Sequence, residues 1–180
     1  MGIHQVKEWE HIGFCLSNRG RQVNKGFYSS EAFKSSLDDT WTTPRAFFDE
    51  LNDEFQFKLD AAALKSSALC DFWYGPDHEN PELQDAFQRN WQDDAQGNIW
   101  LNPPYGRTIK LWMQKANFEA TRGGGAIVCL VPSRTDTSWW HETCIQHEVR
   151  FIRGRLKFGN QNNSAPFPSA VVIMKGESNE

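Results

Sequence analysis

The chain lacks long apolar runs, paired-cysteine motifs and any excess of positive charge, and each absence removes a class of protein. No apolar stretch approaches membrane-spanning length, and the amino terminus carries no secretory apolar segment. Membrane insertion is therefore not expected, and a cytoplasmic location is. The four cysteines, Cys15, Cys70, Cys129 and Cys144, show neither CxxC nor Cys/His ligand spacing, which argues against a disulfide framework or zinc site and for reduced thiols. No histidine and carboxylate cluster suggests a metal; His141 and Glu142 are adjacent and on a helix would not share a face. With 19 Lys and Arg against 23 Asp and Glu, the net charge is −4, so any nucleic-acid contact has to use local patches. Internal repeats and low-complexity tracts are also missing. What remains is a chain of 180 residues, 39% hydrophobic with 8 Trp and 13 Phe. That length suits one domain with a good core, and the aromatic excess suits core filling or the stacking of flat ligands.

The pattern divides into an irregular polar arm, residues 1–38, and a single alternating α/β domain, residues 39–180. Thr43 as N-cap and Pro44 at the first helical position open a helix carrying Phe47, Phe48, Leu51 and Phe55. Strands are expected at 57–60, 69–74, 98–101, 126–131, 149–152 and 170–174. Between them lie a short helix around Leu83, Ala86 and Phe87, a helix with Ile109, Trp112, Met113 and Ala116 inward, and a helix over 138–147. Gly123-Gly124-Gly125 stops the second of these. Strands alternating with helices predict a mostly parallel sheet with helices on both faces.

In such sheets ligands sit at the carboxyl ends of the strands. Asp60 ends one strand and precedes Ala61-Ala62-Ala63, whose small side chains admit a ligand to the backbone while the carboxylate holds an ammonium group; a helix N-cap is the alternative. Asp77 can accept from ribose hydroxyls, although Gly75-Pro76-Asp77 also reads as a simple turn. Asn102-Pro103-Pro104-Tyr105 follows the apolar run Ile99-Trp100-Leu101. This set suits a planar amine whose lone pair is delocalised into a ring or amide. An Asn oxygen and a neighbouring carbonyl accept its N–H bonds as charge develops, the prolines aim that carbonyl, and Tyr105 stacks on the ring. An ordinary loop opening is the bland alternative.

Trp41-Thr42-Thr43-Pro44, Leu59-Asp60-Ala61-Ala62, Asn102-Pro103-Pro104-Tyr105-Gly106, Arg134-Thr135-Asp136-Thr137, Gly154-Arg155-Leu156-Lys157-Phe158-Gly159 and Ala165-Pro166-Phe167-Pro168-Ser169 occur in that order. In order and content the chain resembles the phage-type DNA adenine-N6 methyltransferases, from about Ser35 to Met174. The resemblance implies a Rossmann-like fold, S-adenosylmethionine as cofactor, and a catalytic loop of Asn102, Pro103, Pro104 and Tyr105. It also implies that Thr42, Thr43, Pro44 and Asp60 hold the methionine end of the cofactor, with Ala61 beside them and Asp77 expected at the ribose. Alanines replace the glycine-rich turn of methyltransferases at large.

Double-stranded DNA is the expected partner. Arg150, Arg153, Arg155 and Lys157 interleave with Phe151, Ile152, Leu156 and Phe158, a local basic and aromatic segment suited to phosphates, or else a solvated strand edge. A base inside a duplex cannot reach the Asn102 loop, so the target adenine must be flipped out, with Tyr105 as one stacking face and Phe158 as the other. Arg134, Asp136, Arg155, Lys157 and Phe158 form the expected substrate-binding set. Two other readings stay open here: N-methylation of RNA or protein glutamine, and a catalytically idle DNA-binding module. A phage or prophage origin in a bacterial host, with a role against restriction, fits the resemblance; a monomer or a homodimer fits the sequence.

Overall fold

Phe47, Phe48, Leu51 and Phe55 recur at helical spacing and lie on helix α1 (Arg45–Phe55) of the computed structural model, which describes residues 41–159 and 163–176. The expected arm over residues 1–38 lies outside them. Pro44, not Thr43, is the N-cap, with ψ 130°, and no side chain caps the first turn. Gln56, left-handed at φ 55°, ends the helix by bonding back to the Asn52 carbonyl.

Five strands follow: β1 (Leu59–Asp60), β2 (Ile99–Leu101), β3 (Ile127–Pro132), β4 (Glu148–Phe151) and β5 (Ser169–Met174), in the spatial order β1-β2-β3-β5-β4. β1, β2 and β3 pair in parallel, whereas β5 is antiparallel to both β3 and β4. The expected mostly parallel sheet is therefore a mixed one. A parallel return needs a crossover, usually helical. The described residues between β4 and β5 contain no helix, and the chain comes back antiparallel. The strand expected over 69–74 reduces to a single bridge, Asp60 to Trp73.

The short helix expected near residue 83 is two 3-10 turns, Pro81–Leu83 and Ala86–Gln88, followed by an unanticipated helix α2 (Trp91–Ala95). Helix α3 (Ile109–Thr121) buries Ile109, Trp112, Met113 and Ala116 as its spacing predicts, and Gly123 and Gly124 follow at φ 76° and 107°. Helix α4 (Ser138–Thr143) stops before His147.

Residues of the central strands alternate between two cores. Leu59, Ile99, Leu101, Cys129 and Val172 meet α2, α3 and α4, while Trp100, Val128, Leu130 and Ile173 meet α1. Helices thus cover both faces, and β3 and β5 are buried along their whole length. Under α3, Lys115 and Glu119 form a buried 2.6 Å ion pair, and Gln92 of α2 exchanges two 3.0 Å hydrogen bonds with Gly125. Gly125 has to be glycine, because a Cβ there would lie 2.1 Å from the Gly97 carbonyl oxygen. Cys70, Cys129 and Cys144 are free thiols.

Because β4 is antiparallel to β5, it runs with β1, β2 and β3. The carboxyl ends of all four strands therefore meet along one edge of the sheet.

Candidate active site

At the end of β1, Asp60 is 2% exposed. Its carboxylate accepts from the Leu69 N–H at 3.1 Å and, weakly, from the Ala62 N–H at 3.4 Å, and no cation pairs with it among the described residues. Burial pushes its pKa up to about 6, against the opposing pull of those two N–H groups. No helix follows it, so the carboxylate braces a turn and leaves charge uncompensated beside Ala61, Ala62 and Ala63. Asp60, Ala62 and Ala63 line a cleft of about 580 Å³, counted out through its open mouth, whereas the expected cofactor neighbour Ala61 is fully buried in the core and does not line it.

Asn102, at the end of β2, lines the same cleft. Its side-chain nitrogen donates to the Trp41 main-chain oxygen and, at 2.9 Å, to Thr43 Oγ1. A main-chain carbonyl can only accept, so it sets which amide atom faces it. The Asn102 oxygen is thereby turned the other way, and it is buried without a partner among the described residues. Thr43 spends its hydroxyl on this orientation and not on capping α1. Pro103 and Pro104 are buried beside it. The half-buried Tyr105 donates its hydroxyl to the Leu130 carbonyl at 3.1 Å, and burial drives the phenol pKa well above its ordinary value.

Thr42, Thr43, Asp60, Asn102, Pro103 and Pro104 are thus brought together in one cleft. Pro44 adjoins it as the N-cap of α1. Asp77 does not line it. That carboxylate is exposed and accepts from the Lys65 N–H at 3.1 and 3.2 Å, which is the turn role. Arg134 and Asp136 are exposed on the loop after β3, which is held by bonds of the Thr137 N–H and hydroxyl to the Arg134 oxygen and by His141 against the Thr135 oxygen at 2.8 Å. Arg155 and Lys157 are exposed after β4.

Phe158 is placed differently from the expectation that it offers a stacking face. It is 1% exposed, in a cluster with Trp41, Tyr105 and Phe167, and meets Tyr105 edge-on at 6.1 Å. The cluster closes over it because Trp41 and Phe167 come from opposite ends of the domain and meet at 5.1 Å. Arg150 also leaves the expected basic segment, paired to Glu54 and Glu148 at 2.6 to 2.8 Å.

Sequence reasoning missed Trp41 and Trp100, both of which line the cleft. Trp41 stood immediately before the Thr-Thr-Pro segment, and Trp100 two residues before Asn102, so proximity to the motifs was the available signal.

Two neighbouring parallel strands, β1 and β2, whose ends deliver an uncompensated carboxylate, small residues and an oriented amide to one crevice define an α/β protein with a ligand site at the carboxyl edge of its sheet. The chain belongs to the DNA N-6-adenine-methyltransferase (Dam) family, whose model matches residues 30–177. Methylation of adenine N6 in DNA is the activity of that family. No curated protein matches the chain. Among the described residues no helix is long and apolar enough to cross a membrane, and no group of three or more His, Cys, Asp or Glu is arranged to hold a metal.

Proposed function

We propose that the chain transfers a methyl group from S-adenosylmethionine to N6 of an adenine flipped out of double-stranded DNA, with Asn102 as the principal catalytic residue. The observation that carries this reading is the side-chain oxygen of the cleft residue Asn102, buried without a partner among the described residues and held in that orientation by Trp41 and Thr43.

The residues present fit the cofactor. The buried Asp60 carboxylate, free of any cation among the described residues, suits the ammonium of an amino-acid end, and the alanines beside it leave room along the backbone. When bound, S-adenosylmethionine supplies an activated methyl group for an in-line displacement. The chain's own work is positioning and electrostatics. The Asn102 oxygen accepts one N–H of the target amine, and the carbonyl at the proline pair accepts the other, which returns electron density to nitrogen. The transferred methyl replaces one amine proton, released to solvent. The ring that lines the cleft here is Trp41, half-buried and edge-on to its neighbours, while Tyr105, anchored through Leu130, follows Pro104 without lining it.

DNA reaches this edge despite the net charge of −4. Arg107, Arg134, Arg153, Arg155 and Lys157 are exposed on loops after β2, β3 and β4 and form no ion pair among the described residues. They are suited to phosphates. Marking phage or prophage DNA against restriction in a bacterial cytoplasm is the setting this reading gives.

The test is methyl transfer from labelled S-adenosylmethionine to plasmid DNA, with the site mapped by a panel of methylation-sensitive nucleases. Asn102→Ala should lose about 10²–10³ in turnover, on the order of 3 kcal/mol, as for removal of one transition-state partner. Calorimetric cofactor binding should stay nearly intact. Near-parental turnover of this variant would show the catalytic assignment to be wrong.

A further inference from the structure

We propose that the Trp100 indole N–H binds the carboxylate of the cofactor's amino-acid end, opposite the Asp60 carboxylate that takes its ammonium. The proposal rests on S-adenosylmethionine being the cofactor. β1 and β2 are parallel with Asp60 in register with Trp100, so the two side chains lie on one face of neighbouring strands. Both residues line the cleft.

Trp100 is 0% exposed, and its Nε1 is buried without a partner among the described residues. An indole N–H only donates, and buried donors left unpaired are rare. The rings packed against it, Phe48 and Phe57, each at 5.5 Å, offer no acceptor. An α-amino acid carries an ammonium and a carboxylate on one carbon. It therefore presents a cationic donor and an anionic acceptor side by side, the complement of an Asp60 acceptor next to a Trp100 donor.

Calorimetry on the whole chain tests this with two ligands: S-adenosylmethionine, and decarboxylated S-adenosylmethionine, which keeps the ammonium and lacks the carboxylate. Trp100→Phe keeps an aromatic ring and removes the donor. It should weaken S-adenosylmethionine by about tenfold or more, the loss of one charge-assisted hydrogen bond, and leave the decarboxylated ligand within about twofold. Asp60→Asn should weaken both ligands. If Trp100→Phe fails to fold, benzothienylalanine inserted at position 100 swaps N–H for sulfur in the same ring outline and should show the same selective loss. Parental affinity of the Trp100 variants for S-adenosylmethionine, or an equal loss on both ligands, overturns the proposal. Absence of S-adenosylmethionine binding by the parent chain overturns the cofactor assignment itself.

Discussion

Asp60 couples function to stability through a single proton. Its folded pKa of about 6 lies above the ordinary 3.8, so between those values the folded chain holds a proton that the unfolded chain has released. The group's contribution to stability therefore falls as pH rises through that window, and at neutral pH the buried anion costs on the order of 3 kcal/mol. Asp60→Asn removes the charge and keeps an oxygen for the Leu69 N–H, at the loss of the weak 3.4 Å bond from Ala62. Its melting temperature should rise by several degrees at pH 7.5, with the gain fading toward pH 4, in scanning calorimetry. Ligand binding has the opposite sign, because an ammonium needs the carboxylate ionised. In the parent, cofactor affinity should fall about tenfold per pH unit below about 6. Flat affinity from pH 7 to 5 would remove Asp60 from the binding site.

Helix α3 shows the same economy at the scale of an element. Lys115 and Glu119, 3% and 0% exposed, sit one turn apart; Lys115 also donates to the Arg89 carbonyl at 2.8 Å, and burial lowers its pKa. Removing one member leaves a buried charge short of its partner, although Arg122 still approaches Glu119 at 3.5 Å. Lys115→Met should therefore destabilise the chain by about 3 kcal/mol, and Lys115→Met combined with Glu119→Leu should recover most of that, as read from urea unfolding. The helices α1 and α3 were legible because their apolar residues repeat over three turns or more. The segment 69–74 was not, since its backbone touches β1 at one bridge only, with Leu69 at the Asp60 carboxylate and the cleft and Tyr74 in the core.

Across the whole molecule, charge is sorted by place. Arg150 is neutralised by Glu54 and Glu148, whereas Arg155 and Lys157, a few residues on, pair with no carboxylate among the described residues. Arg155→Ala or Lys157→Ala should each reduce the salt dependence of DNA binding by about one counterion, whatever the sequence bound, while Arg150→Ala should leave that slope unchanged. Filter-binding titrations from low to physiological salt decide this. Equal slopes for all three variants would place the DNA path elsewhere.

By itself the sequence determined the α/β class, the helices α1 and α3, the buried β3, and the convergence of Asp60 and Asn102 on one edge. These follow from local periodicity and from the rule that strand ends in such sheets hold the ligand. The sense of β5, the burial of Phe158, the pairing of Arg150 and the turn role of Asp77 were decided only by the tertiary structure. Each depends on a partner distant in sequence: β3 for β5, Trp41 for Phe158, Glu54 for Arg150, Lys65 for Asp77. The orientation of the Asn102 amide belongs to the same group. Asparagine is symmetric enough to turn either way, and only the Trp41 carbonyl and the Thr43 hydroxyl, about 60 residues earlier, select the rotamer that leaves its oxygen free.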